Sequence, residues 1–311
     1  MSTQANAMPE SPVGTQAAAA IEISEMQRFY WSVRRELWEN RYIYIAPLTV
    51  AGVFLIGHLI GLAHLPAQLR QLPGGEPEKL HEAILQPYNL VAAFMMGTYI
   101  LVTLYYCSVA LHSERRDRSI LFWKSLPVSD LTTVLAKASI PFVIFPLFTF
   151  AVTLALQLVI LLMSSAVLLA NGLSVASLWG HLPILQMSLL LLYHILTAHA
   201  LWPAPIYCWL LLVSGWARRA AFLWAALPVL AIAGVEAIAF HTNHFATLIG
   251  RRLGGASDPV SFTAPGGFPT DPMTHIHPGP FLLSPSLWIG LAVAALFLAA
   301  AVRIRRYREP M

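Results

Sequence analysis

The chain has 311 residues, 57% of them hydrophobic and only 11% charged, with a mean hydropathy of +0.65. Soluble domains carry roughly 25% charged residues, so composition argues against a water-facing globular fold and for an all-α integral membrane protein. The net charge of +4 then concerns the two sides of a membrane, not nucleic acid, and Cys107 and Cys208, both inside apolar runs, read as packing residues.

Residues 1–20 are rich in Ala, Ser and Gln without a basic-then-apolar signal pattern, and read as a disordered tail. Residues 21–41 follow as an amphipathic helix. Met26, Phe29, Tyr30, Val33 and Leu37 recur at spacings of three and four, while Glu25, Arg28, Arg34, Arg35, Glu36 and Glu39 take other positions. Such a helix lies in the membrane interface; the same stripe also suits a solvated helix continuing the first span inward. A span needs about 20 mostly apolar residues. Tyr42 to Leu65 supplies the first and Asn89 to Ser113 the second. The uncharged run from Ala138 to Ala217 is too long for one helix. Asn171-Gly172 and the Gly180-His181-Leu182-Pro183 turn divide it into a third span (131–170) and a fourth (183–213). Ala220 to Phe240 makes the fifth span and Ser286 to Val302 the sixth, so residues 42–302 form a six-span domain. Between these last two, residues 241–285 are rich in Gly, Pro and His and read as an external loop with at most short helices. Residues 303–311 form a basic tail.

Lys and Arg orient the bundle. With both termini cytoplasmic, every inner segment is basic, and of the 19 Lys and Arg residues only Arg70, Lys79, Arg251 and Arg252 fall outside. The positive-inside rule is then met by all cytoplasmic segments together.

The stretch Glu114 to Asp130 is the densest in charge between two uncharged runs. Arg115, Arg116, Asp117, Arg118 and Lys124 are polar, whereas Ile120, Leu121, Trp123 and Leu126 cluster. One or two helical turns would rest the apolar side chains on the bundle and present the charges to the cytosol. Pro127 stops that helix, and Ser129 or Asp130 can cap the next.

Several features together resemble the permease subunits of ABC-2 type transporters. They are Glu114, the Ser125-Leu126-Pro127-Val128-Ser129-Asp130 turn, Lys137, the Leu201-Trp202-Pro203-Ala204-Pro205 kink and the Val213-Ser214-Gly215-Trp216-Ala217-Arg218-Arg219 loop. The resemblance covers most of the chain. It implies that the loop between spans two and three is a coupling helix docking on a separate ATPase, with two permeases (a homo- or heterodimer) pairing with two ATPases. Glu114, Arg115, Arg116, Asp117, Arg118, Trp123 and Lys124 would be the coupling residues, and a bacterial inner membrane the location. No Gly-x-x-x-x-Gly-Lys-[Ser/Thr] occurs, and phosphate cradling needs those glycine amides. The chain is therefore expected to be no enzyme by itself and to bind no cofactor, with ATP and Mg held by the partner ATPase.

Glu236 is the only acidic residue inside an expected span. Two readings suit it: a translocation-path or dimer-interface residue, or a carboxylate near the external end of span five. Pro203 and Pro205 interrupt span four, giving a hinge or a packing kink. His199, with His194, reads as a hydrogen-bonding group between helices and a further candidate for the path. The external His241, His244, His275 and His277 are joined only by Asp271 and favour no metal site. The leading expectation is ATP-driven export of a lipophilic or amphipathic substrate by a dimeric permease. The alternative is a membrane sensor or scaffold whose loop recruits a cytoplasmic partner without net transport.

Overall fold

The computed structural model describes residues 24–65, 67, 77–116, 128–254 and 278–307, and among them the chain is helical with no strand. Six helical stretches are long and apolar enough to cross a membrane: Tyr42–Leu62, Ile84–Arg116, Asp130–Ala170, Ile184–Leu201, Ala221–Phe240 and Pro285–Tyr307. The expected tail (1–20), most of the segment 114–130, and much of the external loop, including His275 and His277, lie outside the described residues.

Helix α1 (Glu25–Glu39) starts at a capping box. Ser24 Oγ accepts from the Gln27 amide at 3.2 Å while the Gln27 side chain accepts from the Ser24 amide, which satisfies two donors that a helix start otherwise leaves open. Only Asn40 and Arg41 separate α1 from α2 (Tyr42–Leu62), the first span. The second crossing is α3 (Pro77–Val109), followed by the short α4 (His112–Arg116). After the undescribed segment come α5 (Asp130–Ser139), a π-helical turn (Ile140–Ile144) and α6 (Phe145–Ala170). These last three form one 41-residue stretch. At 1.5 Å per residue it is about 60 Å long, twice the hydrocarbon thickness of roughly 30 Å. Part of the excess is the ten-residue α5, which packs against α1 at the end of the bundle where most Lys and Arg gather, here termed the charged end.

Beyond α7 (Ala176–His181), the fourth crossing, expected over residues 183–213, is interrupted in two ways. It runs as α8 (Ile184–His194), a second π-helical turn (Ile195–Leu201), a break at Trp202-Pro203, and α9 (Ala204–Trp216). Pro203 flanks the start of α9 and Pro205 lies in its first turn, where a missing N–H costs nothing. The break expected at these prolines is present. Helices α10 (Ala221–Phe240), α11 (His244–Gly254), α12 (Pro278–Leu283) and α13 (Pro285–Tyr307) complete the chain.

Helices α3, α6, α8 and α9 make the centre, with α13 against α9, and α2 and α10 at the periphery. One apolar cluster gathers Tyr99, Tyr106, Cys107, Phe145, Tyr207 and Leu211. A second joins Leu85, Tyr88, Val91, Leu156, Ile160 and Leu161. By contrast, α2 exposes Ile45, Leu48, Val53, Ile56 and Ile60, and α10 exposes Phe222, Leu227, Leu230, Val235 and Ile238. Apolar faces this continuous are unfavourable in water and mark surfaces that meet lipid or protein.

The two π-helical turns pack against each other within the spans. A π turn and a proline both leave carbonyls without their normal helical donors. Two buried tyrosines meet this need: Tyr99 donates to the Pro141 carbonyl at 2.6 Å and Tyr207 to the His199 carbonyl at 2.9 Å. Tyr99→Phe should destabilise the purified protein by roughly 1–3 kcal/mol, the cost of leaving a buried acceptor without its donor, as measured by chemical unfolding in detergent.

Candidate functional site

The charged end holds a buried ion network built from four separate elements. Glu114, in α4, is 3% exposed. Its Oε1 lies 2.6 Å from Arg35 Nη2 of α1 and 3.1 Å from Lys137 Nζ of α5. Its Oε2 accepts from Arg305 Nη1 of α13. Glu36 of α1, equally enclosed, receives Lys137 Nζ at 2.7 Å, Arg35 Nη2 at 2.8 Å and the Tyr106 hydroxyl at 3.0 Å. Arg305 Nε reaches Asp130 Oδ1 at 3.0 Å. Three cations thus face the carboxylates of Glu36, Glu114 and Asp130, with Glu39 at the rim 3.6 Å from Arg35 Nε.

Helix periodicity explains the convergence. Ser32, Val33 and Glu36 lie on the α1 face that is buried, with Phe29 and Leu37 flanking it. On α5, Thr133, Val134, Ala136, Lys137 and Ala138 are the buried residues, so Lys137 points at that α1 face. Burial works against the charge of the Arg35 guanidinium, but the carboxylates of Glu36 and Glu114 outweigh it and hold its pKa above the ordinary value. Burying charges is costly unless each is paired, and removing one partner strands the rest. The network therefore ties α1, α4, α5 and α13 together, because parting any two of them would strand a buried charge.

Its position gives it meaning. Glu114 precedes residues 117–127 by three positions and Asp130 follows them by three, so the Arg305 guanidinium holds both stems of that segment. The first stem is further stapled to the end of α9. Arg115 Nη1 donates to the Gly215 carbonyl at 2.6 Å, the Leu111 amide donates to Ser214 Oγ at 3.3 Å, and His112 Nδ1 lies 3.1 Å from the Ala217 carbonyl. A Cβ at Gly215 would come 3.3 Å from Leu111 Cδ1, so a glycine suits this close approach. On the second stem Ser129 is the residue that caps α5, accepting from the Thr132 amide at 3.0 Å, which leaves Asp130 for Arg305.

Of the residues expected to couple to a partner, Glu114 and Arg115 are therefore turned inward, and the charge they carry is not presented to solvent. The reason is geometric: they belong to the stem, whose helix α4 is clamped between α9 and α13. Arg116 is exposed, and Asp117, Arg118, Trp123 and Lys124 lie outside the described residues. Among the tentative path residues, Glu236 sits four positions from the end of α10. It accepts from Thr242 Oγ1 at 2.9 Å and from the His244 and Phe245 amides at 2.7 and 2.8 Å. Its carboxylate is thus directed at the start of α11, where it meets backbone donors and the positive end of the helix dipole. His199 lies in the second π turn, and Pro203 and Pro205 mark the break that follows; none of these three touches the ion network.

At the opposite end, the break and α13 are joined through α11. The Arg252 guanidinium stacks 4.1 Å from the Trp202 ring centroid, donates to the Trp202 carbonyl at 2.9 Å, and reaches the Ser286 carbonyl and hydroxyl at 2.5 and 2.9 Å. A Cβ at Gly290 would approach Arg252 Nη1 to 2.7 Å, so this clasp requires the glycine.

From sequence, Arg305 counts as a topology charge, Arg35 and Glu36 as residues off the apolar stripe of the first helix, and Lys137 as part of the family resemblance, and none of them is joined to Glu114. The available signal was the placement of Glu36 within the apolar stripe of α1. No family model, characterised protein or solved structure matches the chain.

Proposed function

We propose that this chain is the permease subunit of an ABC-2 type transporter, exporting a lipophilic or amphipathic substrate with energy from a separate ATPase. In this reading the charged end is cytoplasmic, as the positive-inside rule requires, and two permeases pair with two ATPases in a bacterial inner membrane. The observation that carries it is the Arg305 bridge to Glu114 and Asp130. A partner pushing on residues 117–127 would displace two stems at once. Through Glu114 and Lys137 it would also move α1 and the 41-residue third crossing. A loop that merely held topology would need no such linkage to four elements. The break at Trp202-Pro203 and the paired π turns supply places where the spans can change their packing.

The test is to purify the native complex and identify its ATPase. Charge reversal of Arg116 and Arg118 together is expected to abolish ATPase association and stimulated ATP turnover while the permease stays folded. Association and turnover unchanged by that reversal would remove the coupling role. An ATPase-free complex containing another cytoplasmic protein, with no ATP-dependent flux in proteoliposomes, would support the scaffold reading instead.

A further inference from the structure

We infer that the outward face of α1 binds the headgroup of an anionic phospholipid, through Arg34 held between Trp31 and Trp38. These three residues lie at positions i, i+3 and i+7 and so share one helix face. The Arg34 guanidinium carbon is 5.1 Å from the Trp31 ring centroid and 5.4 Å from that of Trp38, within the range of about 6 Å for cation–π attraction. Two indoles thereby fix a cation that would otherwise sample many rotamers. Among the described residues Arg34 pairs with no carboxylate.

This face is the reverse of the one docked on α5. Trp31 is 56% exposed and Trp38 69%, with Met26 and Tyr30 exposed beside them. Of the apolar stripe that suggested a membrane face, Phe29, Val33 and Leu37 pack on protein, whereas Met26 and Tyr30 stay exposed and border a second edge, aromatic and cationic, that points away. The acidic residues of α1 lie off that edge: Glu25 is nine residues, two and a half turns, before Arg34 and so on the opposite side, Glu36 is enclosed in the ion network and Glu39 is turned toward Arg35 at 3.6 Å. The outward face is thus aromatic, cationic and without a carboxylate.

Its level in the bilayer follows from the chain. Two residues connect α1 to the first span, so α1 sits where that span leaves the hydrocarbon. Other exposed aromatics mark the same level: Trp216 and Trp224 meet edge to face at 5.3 Å, and Arg306 lies 5.8 Å from the Tyr307 ring centroid. Trp and Tyr favour the headgroup layer, where an apolar ring and a polar edge are both satisfied. A surface-lying helix with Trp and Arg outward is attracted by anionic lipid. The phosphate supplies the acceptor oxygens that Arg34 lacks, and the indoles cover the adjoining glycerol and upper acyl region. This inference needs the membrane reading but not the transporter reading, and no ATPase enters its test.

Full-length protein, delipidated in detergent, is to be melted with added phosphatidylglycerol, phosphatidylcholine or inorganic phosphate. Phosphatidylglycerol should raise the melting temperature of the unmodified chain above the value in phosphatidylcholine, and inorganic phosphate should not. R34Q should lose most of the phosphatidylglycerol-specific increment and R34K should keep part of it. R303Q, which removes an equal charge from an exposed position at the same end, should keep nearly all of it. Substituting Trp31 and Trp38 by alanine should weaken the response to both lipids. An R34Q increment equal to that of the unmodified chain overturns the inference, as does an equal loss in R303Q. So does an R34Q variant that retains the lipid response yet no longer captures a cytoplasmic protein, which would make this a protein-docking face.

Discussion

Arg305→Met is expected to lower the stability of the purified protein by about 3–5 kcal/mol, the range for removing one partner from a buried ion network. Arg305 is one of three cations around Glu114, and it alone bridges Glu114 and Asp130. Methionine matches much of its length but brings no donor. Glu114 then keeps Lys137 and Arg35, whereas Asp130, a quarter exposed, is released toward solvent. The loss should therefore concentrate on the link between α13 and the second stem. Hydrogen exchange should show α5 and the end of α13 opening before the spans do. Arg305→Lys should recover only part of the loss, because an ammonium on a flexible stem cannot reproduce the fixed Nε and Nη1 geometry that spans two carboxylates. Equal stability of the Met variant and the parent in chemical unfolding would show that the network contributes orientation without net stabilisation.

Much of the membrane architecture is legible in the sequence, for a simple physical reason. Hydrocarbon demands long apolar helices with internally satisfied backbone, so the six stretches at Tyr42, Ile84, Asp130, Ile184, Ala221 and Pro285 announce themselves by length and composition. Local chemistry was legible too: Ser129 was a candidate cap and is the cap, and the Pro203–Pro205 break is where the prolines put it. Pairing was not. Glu36 and Lys137 are 101 positions apart and Arg305 and Glu114 are 191 apart, and nothing local tells a topology charge from a buried partner. The π turns escaped for a related reason. Each is a shift in hydrogen-bond register within an uninterrupted apolar run, and only its proximity to Pro141, or to Pro203, hints at it. The direction of α1 was half legible: its stripe is real, but a stripe does not say whether protein or lipid covers it, and Trp31, Arg34 and Trp38 show both faces engaged in different ways.

Two neighbouring arginines should give opposite outcomes. Arg115→Glu is expected to cost on the order of 3 kcal/mol or more, because it replaces a buried donor to the Gly215 carbonyl with an acid facing that carbonyl. The like-charged Glu114 beside it makes matters worse. The first stem would detach from the end of α9, and the Leu111–Ser214 and His112–Ala217 contacts would go with it. Arg116→Glu changes the charge by the same amount at an exposed position, where substitutions usually stay within about 0.5 kcal/mol. Thermal unfolding of the two variants side by side separates stem from surface. A large loss for Arg115→Glu with little for Arg116→Glu confines any partner-facing charge to residues from Arg116 onward. Near-equal losses would mean that α4 is not clamped as its hydrogen bonds require, and Arg115 would again be a candidate for presenting charge outward.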